Sequence, residues 1–227
     1  LHIDLVKKGT RVAYIKGAGD KVPEALVQMG YQVDFLQEKD LKAENLAKYN
    51  TVITGIRAHN TIDFMENAYP ELMKYVENGG TLMGIHGAGD DSHHWDWYEK
   101  NLLGAKFSHH PLNPQFQKAQ VSLQDTTFSP VLSKTFEGTD EWYVFFNQPK
   151  DATIVYSIDG DKILPSGNML WMTDKNFGMG KNHPVAWYKT VGKGKTFYTS
   201  MGHSKEVWAN PDFVSLIEEA IKWGIKK

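Results

Sequence analysis

The sequence predicts an α/β fold with a mostly parallel sheet, helices on both faces of the sheet and an antiparallel elaboration. In the first ninety residues, short apolar runs alternate with amphipathic helical patterns, which is the spacing of parallel β-α-β units. Beyond residue 117, strand-like runs follow one another with only turn residues between them, which is typical of antiparallel strands. The chain has 227 residues, and we predict a single domain over residues 1–227.

The parallel part of the sheet is predicted to contain four strands in the first half of the chain. Apolar residues recur with helical spacing from Val22 to Met29, Asp40 is placed to cap a second helix, and Pro70 kinks or restarts a helical stretch over residues 61–78. The predicted strands are Arg11–Ile15, Tyr31–Leu36, Thr51–Ile56 and the apolar run Leu82–Ile85.

The second half of the chain is predicted to add strands and to end on a helix. Strand-like segments cover Ala119–Leu123, Glu141–Phe146 and Thr153–Ile158, and a later pair, Pro184–Lys189 and Lys195–Ser200, has the pattern of a hairpin. The last helix is predicted from Pro211 to Ile225, with a buried stripe made of Phe213, Leu216, Ile217, Ala220 and Ile221.

Composition limits the classes of partner. Hydrophobic residues make up 41% of the chain, charged residues 23%, and the net charge is -2. No basic patch stands out and no apolar run approaches the length of a membrane span, so neither a nucleic-acid partner nor a membrane span is expected. The absence of cysteine excludes disulfides, thiolate metal sites and a cysteine nucleophile. We expect a soluble protein of the cytoplasm or periplasm that binds a small molecule, and the sequence leaves open whether it forms a homo-oligomer.

The segment from Gly80 to Gly89 is the most informative one for function. An apolar strand ends at His86, and the small residues around this histidine favour a sharp strand-to-loop turn, similar to a nucleophile elbow with histidine in place of serine or cysteine. Ligands of open α/β sheets bind beyond the carboxyl ends of the strands. His86 could therefore be a metal ligand, a general base or a nucleophile, or it could be a structural histidine held by backbone hydrogen bonds.

Other predicted strand ends supply further candidates. Residues 17–20 lead into a helix whose amides could hold an anion, but they lack a dinucleotide or phosphate-loop fingerprint, and a tight strand–helix turn is the favoured interpretation. Arg57 could bind an anionic group or form a structural ion pair, and Asn60 in the same loop could contact a ligand or shape the turn. His203 follows a late strand, as His86 follows an earlier one.

Aromatic and acidic residues in two places suggest a sugar ligand. Asp90, Trp95 and Trp97 follow His86, and such residues can stack on a sugar and hydrogen-bond to it, or simply cover a surface loop. Trp142 is a further candidate for stacking.

The acidic pair Asp140 and Glu141 provides candidate catalytic carboxylates. A carboxylate here could orient a histidine, ligate a metal, or act as acid or base, and on a continuous strand only one of the two would face the site. Of the paired histidines at positions 109 and 110, we favour His110 as the one that enters the site.

A divalent transition metal is one candidate cofactor. His86, His110, His203 and one carboxylate would satisfy zinc-like ligation and leave room for a water molecule. No short histidine spacing supports this ligand set, so it depends on convergence in the folded chain. A metal-free acid–base cluster of the same residues is the alternative, in which no cofactor is needed.

Several motifs together resemble the trehalose-utilisation (ThuA-like) family, over about residues 50–225 and in the family's order. The N-terminal residues 12–15, 17–20 and 22–26 are similar to a narrower group, the ThuA-like domains fused to PIG-L-type deacetylases. The motifs that carry the family resemblance are Gly84-Ile85-His86, Trp95-Asp96-Trp97, Leu103–Phe107, His110-Pro111, Asp140–Tyr143, Pro184–Trp187 and Gly194–His203.

The resemblance implies a class I glutamine-amidotransferase-like fold with a flavodoxin-like sheet. It places His86 where the amidotransferases have their nucleophilic cysteine, and His203 near the place of their catalytic histidine. Because the thiolate is absent, glutamine hydrolysis is excluded. The resemblance implies a carbohydrate-directed protein acting on a disaccharide or an oxidised sugar, as a hydrolase, lyase or isomerase. The alternative is a non-catalytic carbohydrate-binding or accessory domain of a larger protein.

Overall fold

The structure is a computed structural model that describes residues 10–19, 21–87, 98–164 and 180–225. A π-helical segment spans Tyr98–Leu103. The helices are α1 (Val22–Gln28), α2 (Ala43–Leu46), α3 (Ala58–Thr61), α4 (Met65–Glu77), α5 (Lys205–Trp208) and α6 (Pro211–Ile225). The strands are β1 (Arg11–Ile15), β2 (Gln32–Phe35), β3 (Thr51–Thr54), β4 (Thr81–Ile85), β5 (Phe107–His109), β6 (Gln117–Leu123), β7 (Thr135–Asp140), β8 (Val144–Phe145), β9 (Thr153–Ile158), β10 (His183–Val191) and β11 (Gly194–Thr199).

The described strands form one nine-stranded mixed sheet and a separate pair. The order in the large sheet is β2-β1-β3-β4-β11-β10-β9-β6-β7, and β5 pairs with β8. The first five strands in this order are parallel, and the other four extend the sheet with antiparallel neighbours. The parallel part has the flavodoxin-like order, with β11 as its fifth strand. The predicted fold class is therefore confirmed.

Helices cover both faces of the parallel strands, because neighbouring residues of a strand point to opposite sides. Val52 and Leu82 pack in one core with α2 and α4, whereas Ile53 and Met83 pack in the other with α1 and α6. Strands buried on both faces read as continuous apolar runs, which is the pattern that the sequence shows. Within the described residues, none of the helices has both the length and the apolar character of a membrane span.

The predicted C-terminal elements are confirmed. β10 and β11 pair as an antiparallel hairpin, and α6 spans Pro211–Ile225 as predicted. The buried residues of α6 are those of the predicted stripe: Phe213, Leu216, Ile217, Ala220 and Ile221.

Two local predictions are wrong. Asp40 does not cap a helix; it ends a short 3-10 turn, where its carboxylate accepts the Gln37 amide at 2.9 Å, and α2 starts beyond Lys42. Residues 141–146 do not form one strand, because β7 ends at Asp140 and β8 covers only residues 144–145. The Asp140 carboxylate accepts the amide of Glu141 at 2.9 Å, which takes this amide out of strand pairing.

Gly17 lies where the loop after β1 crosses the backbone that follows β3. A β-carbon at this position would stand 1.8 Å from the carbonyl oxygen of Ile56, which also accepts the Ala18 amide at 3.0 Å. We expect Gly17→Ala to lower the free energy of unfolding by roughly 2–3 kcal/mol, because the two loops must separate. The matched change Gly19→Ala has φ +59° but nothing within 4 Å of the added carbon, so it should cost only about 1 kcal/mol. Urea unfolding measures both, and equal losses would contradict this packing role.

Candidate functional site

The carboxyl ends of two neighbouring parallel strands bring His86 and His203 together. β4 ends at Ile85 and β11 at Thr199, and these two residues are paired in register. The loops that follow leave the same edge of the sheet, and the two imidazole ring centres are 4.7 Å apart. A carboxylate from the antiparallel extension joins them: Glu141 Oε2 lies 3.0 Å from His86 Nε2 and 3.0 Å from His203 Nδ1. We refer to His86, Glu141 and His203 as the histidine–glutamate cluster.

His86 is the buried member of this cluster. Its side chain is inaccessible to solvent, and its φ of 44° is left-handed, which is uncommon outside glycine and fits the sharp turn expected after β4. The Nδ1 atom lies 2.5 Å from the carbonyl oxygen of Ser200. Because a carbonyl only accepts, Nδ1 carries the ring proton and donates, and Nε2 is the atom that faces Glu141.

Glu141 is a buried carboxylate that has partners on both oxygens. Oε1 accepts a hydrogen bond from the Gln115 side chain and lies 3.1 Å from His110 Nδ1. Burial alone would raise the pKa of Glu141, but the hydrogen bonds with His203 and His86 outweigh burial and hold this pKa below its ordinary value. Glu141 is therefore negatively charged at neutral pH.

His203 is the member of the cluster that solvent reaches. Its side chain is 37% exposed, and the ring packs edge-on against Phe116 with the ring centres 5.2 Å apart. The hydrogen bond with Glu141 raises the pKa of His203 above its ordinary value, despite the opposing effect of partial burial. A solvent-accessible imidazole of raised pKa is a suitable group for transferring a proton to or from a bound molecule.

Asp140 binds the backbone, not the imidazoles, which corrects its predicted catalytic role. Its fully buried carboxylate accepts the amides of Gly202 at 2.6 Å and Ser204 at 3.0 Å, on either side of His203. Burial raises the pKa of Asp140, although three amide donors favour the charged form. Asp140 is a positioning residue that holds the loop carrying His203, while Glu141 faces the imidazoles.

His110 and the loop after β3 flank the cluster. His110 Nδ1 lies 2.9 Å from the Pro111 carbonyl oxygen and close to Glu141. The Arg57 amide donates to the His86 carbonyl at 3.4 Å, and the Arg57 side chain is exposed. Asn60 is buried in α3, and among the described residues its side-chain amide has no hydrogen-bond partner.

Trp142 is not available for stacking on a ligand, which corrects its predicted role. The side chain is 0% exposed, and its Nε1 donates to the Gln117 carbonyl at 2.8 Å. The ring belongs to the hydrophobic core and passes over Gly138. The remaining predicted ligand contacts, Asp90, Trp95 and Trp97, lie outside the described residues.

Three residues around the cluster were missed by sequence reasoning: Gln115, Phe116 and Tyr143. The Tyr143 ring centre is 4.1 Å from that of His86. Tyr143 belongs to the Asp-Glu-Trp-Tyr motif of residues 140–143, so the sequence contained a signal for this residue. Gln115 and Phe116 lie in the connection between β5 and β6, where no pattern in the sequence distinguishes them from ordinary loop residues.

Two buried histidines outside the cluster make stability depend on pH. Burial lowers the pKa of His59 to about 3 and that of His183 to about 4, below the ~6.5 expected in the unfolded chain. The fold favours their neutral form. Their contribution to the free energy of unfolding is therefore complete above pH ~6.5 and is lost as pH falls toward the folded-state pKa.

We expect His59→Phe to weaken this acid sensitivity. The phenyl ring keeps the stacking on Tyr98, where the ring centres are 3.6 Å apart, but it takes up no proton. Between pH 6.5 and 5, the variant should lose about 1–2 kcal/mol less of its free energy of unfolding than the parent protein. Urea unfolding at several pH values measures the difference, and parallel curves would contradict the burial effect.

The sequence model of the ThuA family, described as trehalose utilisation, matches residues 5–224. A ThuA-like protein from Bacteroides uniformis has a similar structure, with a TM-score of 0.72, 21% identity, and coverage of 97% of this chain and 92% of that one. A ThuA-like protein from Parabacteroides merdae gives a TM-score of 0.67 at 17% identity, with coverage of 96% of this chain and 91% of that one. None of the curated proteins compared with the sequence matches it.

Part of a larger enzyme also has a similar fold. A β-galactosidase from Bacillus circulans sp. alkalophilus gives a TM-score of 0.59 at 16% identity, over 93% of this chain and 30% of that one. At such identities the likeness concerns the fold alone. The family match is different in kind, because it covers nearly the whole sequence. The chain therefore belongs to the trehalose-utilisation (ThuA) family.

Proposed function

We propose that the protein is a carbohydrate-directed enzyme that acts on a disaccharide or an oxidised sugar at the histidine–glutamate cluster. The observation that carries the proposal is a buried carboxylate, Glu141, held 3.0 Å from both His86 and His203 at the carboxyl edge of the sheet. Ligands of open α/β sheets bind at this edge. The family's association with trehalose utilisation supports a sugar as the ligand.

His203 is the proton-transfer group in this proposal. It is partly exposed, and Glu141 stabilises its protonated form. A hydroxyl or carbonyl oxygen of the sugar would receive a proton from His203, or a hydroxyl group of the sugar would give one to it. Hydrolysis, elimination and isomerisation of a sugar all require such a transfer, so the residues fit each of these reactions. His86 supports Glu141 from the buried side.

The residues around the cluster are candidates for substrate binding. Arg57 presents an exposed guanidinium next to the strand end of His86, and guanidinium groups donate hydrogen bonds to the oxygens of a polar ligand. His110 and Asn60 remain predicted contacts on the same side of the sheet. Asp90, Trp95 and Trp97 also remain predictions.

The test is turnover of a defined sugar panel. The protein is incubated with trehalose, other disaccharides and their keto forms, and the products are followed by NMR and mass spectrometry. We expect conversion of at least one sugar, with a loss of at least ~100-fold in His203→Ala. The matched control is His109→Ala, since His109 Nδ1 contacts the Ser108 hydroxyl and the residue lies outside the cluster. It should retain the parent rate.

Calorimetric titration with the same sugars separates the alternatives. Sugar binding without conversion would contradict an enzyme and favour a carbohydrate-binding or accessory domain, a role that fits the N-terminal resemblance to domains fused to PIG-L-type deacetylases. If the protein neither binds nor converts any of these sugars, both functions are contradicted.

A further inference from the structure

We propose that the histidine–glutamate cluster binds one divalent transition-metal ion through His86 Nε2, a Glu141 carboxylate oxygen and His203 Nδ1. The candidate ligand atoms of these three residues all lie within 4.8 Å of one another. Metal–ligand bonds of about 2.1 Å place neighbouring ligand atoms roughly 3.0–3.4 Å apart. The two separations of 3.0 Å between Glu141 Oε2 and the histidine nitrogens therefore already match those of a coordination shell.

The proton on His86 supports a cation at this place. Nδ1 donates to the Ser200 carbonyl, so the Nε2 of a neutral ring presents a lone pair to the Glu141 carboxylate. Two lone pairs at 3.0 Å repel each other unless a positive charge stands between them, either a second proton or a metal ion. An N–H that donates to a backbone carbonyl while the other ring nitrogen faces the site is the usual arrangement of metal-binding histidines.

The choice of a metal ion over a proton follows from the second histidine. His203 Nδ1 contacts the same carboxylate oxygen as His86 Nε2, and the two ring centres are only 4.7 Å apart. One dication would accept a lone pair from each imidazole and neutralise Glu141, whereas a second proton on His86 would satisfy that ring alone. Two imidazoles and one carboxylate suit zinc, manganese, iron, cobalt or nickel.

The surroundings of the three ligands are those of a preformed site with one open side. Asp140 fixes the backbone on both sides of His203, and Gln115 donates to the second oxygen of Glu141. His203 is 37% exposed, so a water molecule or a sugar oxygen could occupy a remaining coordination position, as in catalytic metal sites.

His110 is not a ligand in this arrangement, which corrects the predicted set of His86, His110 and His203. Its Nδ1 lies 2.9 Å from the Pro111 carbonyl and 3.1 Å from Glu141 Oε1. An atom that faces two acceptors carries a proton and has no lone pair to offer. His110 therefore orients the carboxylate, and Glu141 takes the third ligand position.

The inference rests on the proposed function only in sharing its site. A bound metal ion would replace the proton on His203 Nδ1 that hydrogen-bonds to Glu141, so metal binding and proton transfer by His203 are alternative states of one cluster. The test of metal binding needs no substrate. Protein stripped with chelator is titrated with Zn²⁺, Mn²⁺, Ni²⁺ and Co²⁺ by calorimetry, and Co²⁺ binding is also followed by visible absorption. We expect one equivalent of at least one metal to bind. Affinity should fall at least ~100-fold in His86→Ala, Glu141→Gln and His203→Ala, since removing a ligand should cost no less than removing its supporting hydrogen bond.

Two variants separate the loss of a metal ligand from a loss of folding. His203→Ala alters a partly exposed side chain, so its effect does not depend on whether the His86 variant folds. His109→Ala removes a histidine outside the cluster and should bind metal as the parent does. Absence of saturable binding by the parent protein would overturn the proposal, and so would metal affinities of His203→Ala and Glu141→Gln equal to that of the parent.

Activity then separates the two proposals. Sugar turnover by chelator-treated protein that binds none of the metals would overturn the metal site and leave the proposed function standing. Stoichiometric, ligand-dependent metal binding without turnover or binding of any sugar would support the metal site and contradict the proposed function.

Discussion

Asp140→Ala is expected to lower the free energy of unfolding by roughly 3–5 kcal/mol, because it leaves several buried amides without an acceptor. The Asp140 carboxylate accepts the amides of Glu141, Gly202 and Ser204 at 2.9, 2.6 and 3.0 Å, and all four residues are buried or nearly so. Each unsatisfied buried amide costs about 1–3 kcal/mol, and water entering the space left by the side chain would recover part of this. Urea unfolding measures the loss.

Two further variants test whether the loss has this cause. Asp140→Asn keeps the size of the side chain and one acceptor oxygen, so it should cost less than alanine. Glu137→Ala removes an acid of the same strand that is 67% exposed and pairs with Lys118, and such surface pairs contribute at most about 1 kcal/mol. A loss in Asp140→Ala no larger than that of Glu137→Ala would contradict the role given to these three hydrogen bonds.

The positions of His86 and His203 follow from local patterns combined with one rule of topology. Each histidine comes shortly after an apolar run bounded by small residues. Parallel strands direct their carboxyl ends to the same edge of the sheet, so two such residues lie near each other whenever their strands are adjacent. Pattern alone does not reveal that β4 and β11 are neighbours, because their order depends on how the long antiparallel extension is placed.

The roles of Asp140 and Glu141 could not be assigned by the same reasoning. Alternation along a strand puts neighbouring side chains on opposite faces, but this holds only while the strand continues. β7 ends at Asp140 because its carboxylate binds amides from the loop that contains His203, more than sixty residues later in the chain. Local sequence does not predict this tertiary contact. For the same reason it does not predict the burial of Trp142, which lies two residues after Asp140.

Residues that depend wholly on tertiary contacts were missed. Gln115 binds Glu141, and Phe116 packs on His203, although both come from a connection without helical or strand periodicity. Their position is set by the pairing of β6 with β7, which brings Gln117 opposite Asp140. The position of such a residue beside the cluster cannot be predicted from sequence until the partner strand of β6 is known.

Glu141→Gln is expected to have the largest effect on function. The change keeps the size of the side chain but removes the negative charge that contacts both His86 and His203. We expect sugar turnover to fall by at least ~100-fold, since the acid–base group loses the partner that stabilises its protonated form. Glu137→Gln makes the same chemical change at an exposed position of β7 and should leave the rate unchanged.

The same variant should change the titration of His203 in a predictable direction. The hydrogen bond with Glu141 raises the pKa of His203, so removing the charge should move this pKa down toward its ordinary value of ~6.5. NMR titration of the imidazole in chelator-treated protein measures the shift without substrate or metal. An unchanged pKa would contradict the charge coupling between the two residues. A lowered pKa with an unchanged rate would contradict His203 as the proton-transfer group, because its protonated form would then contribute nothing to turnover.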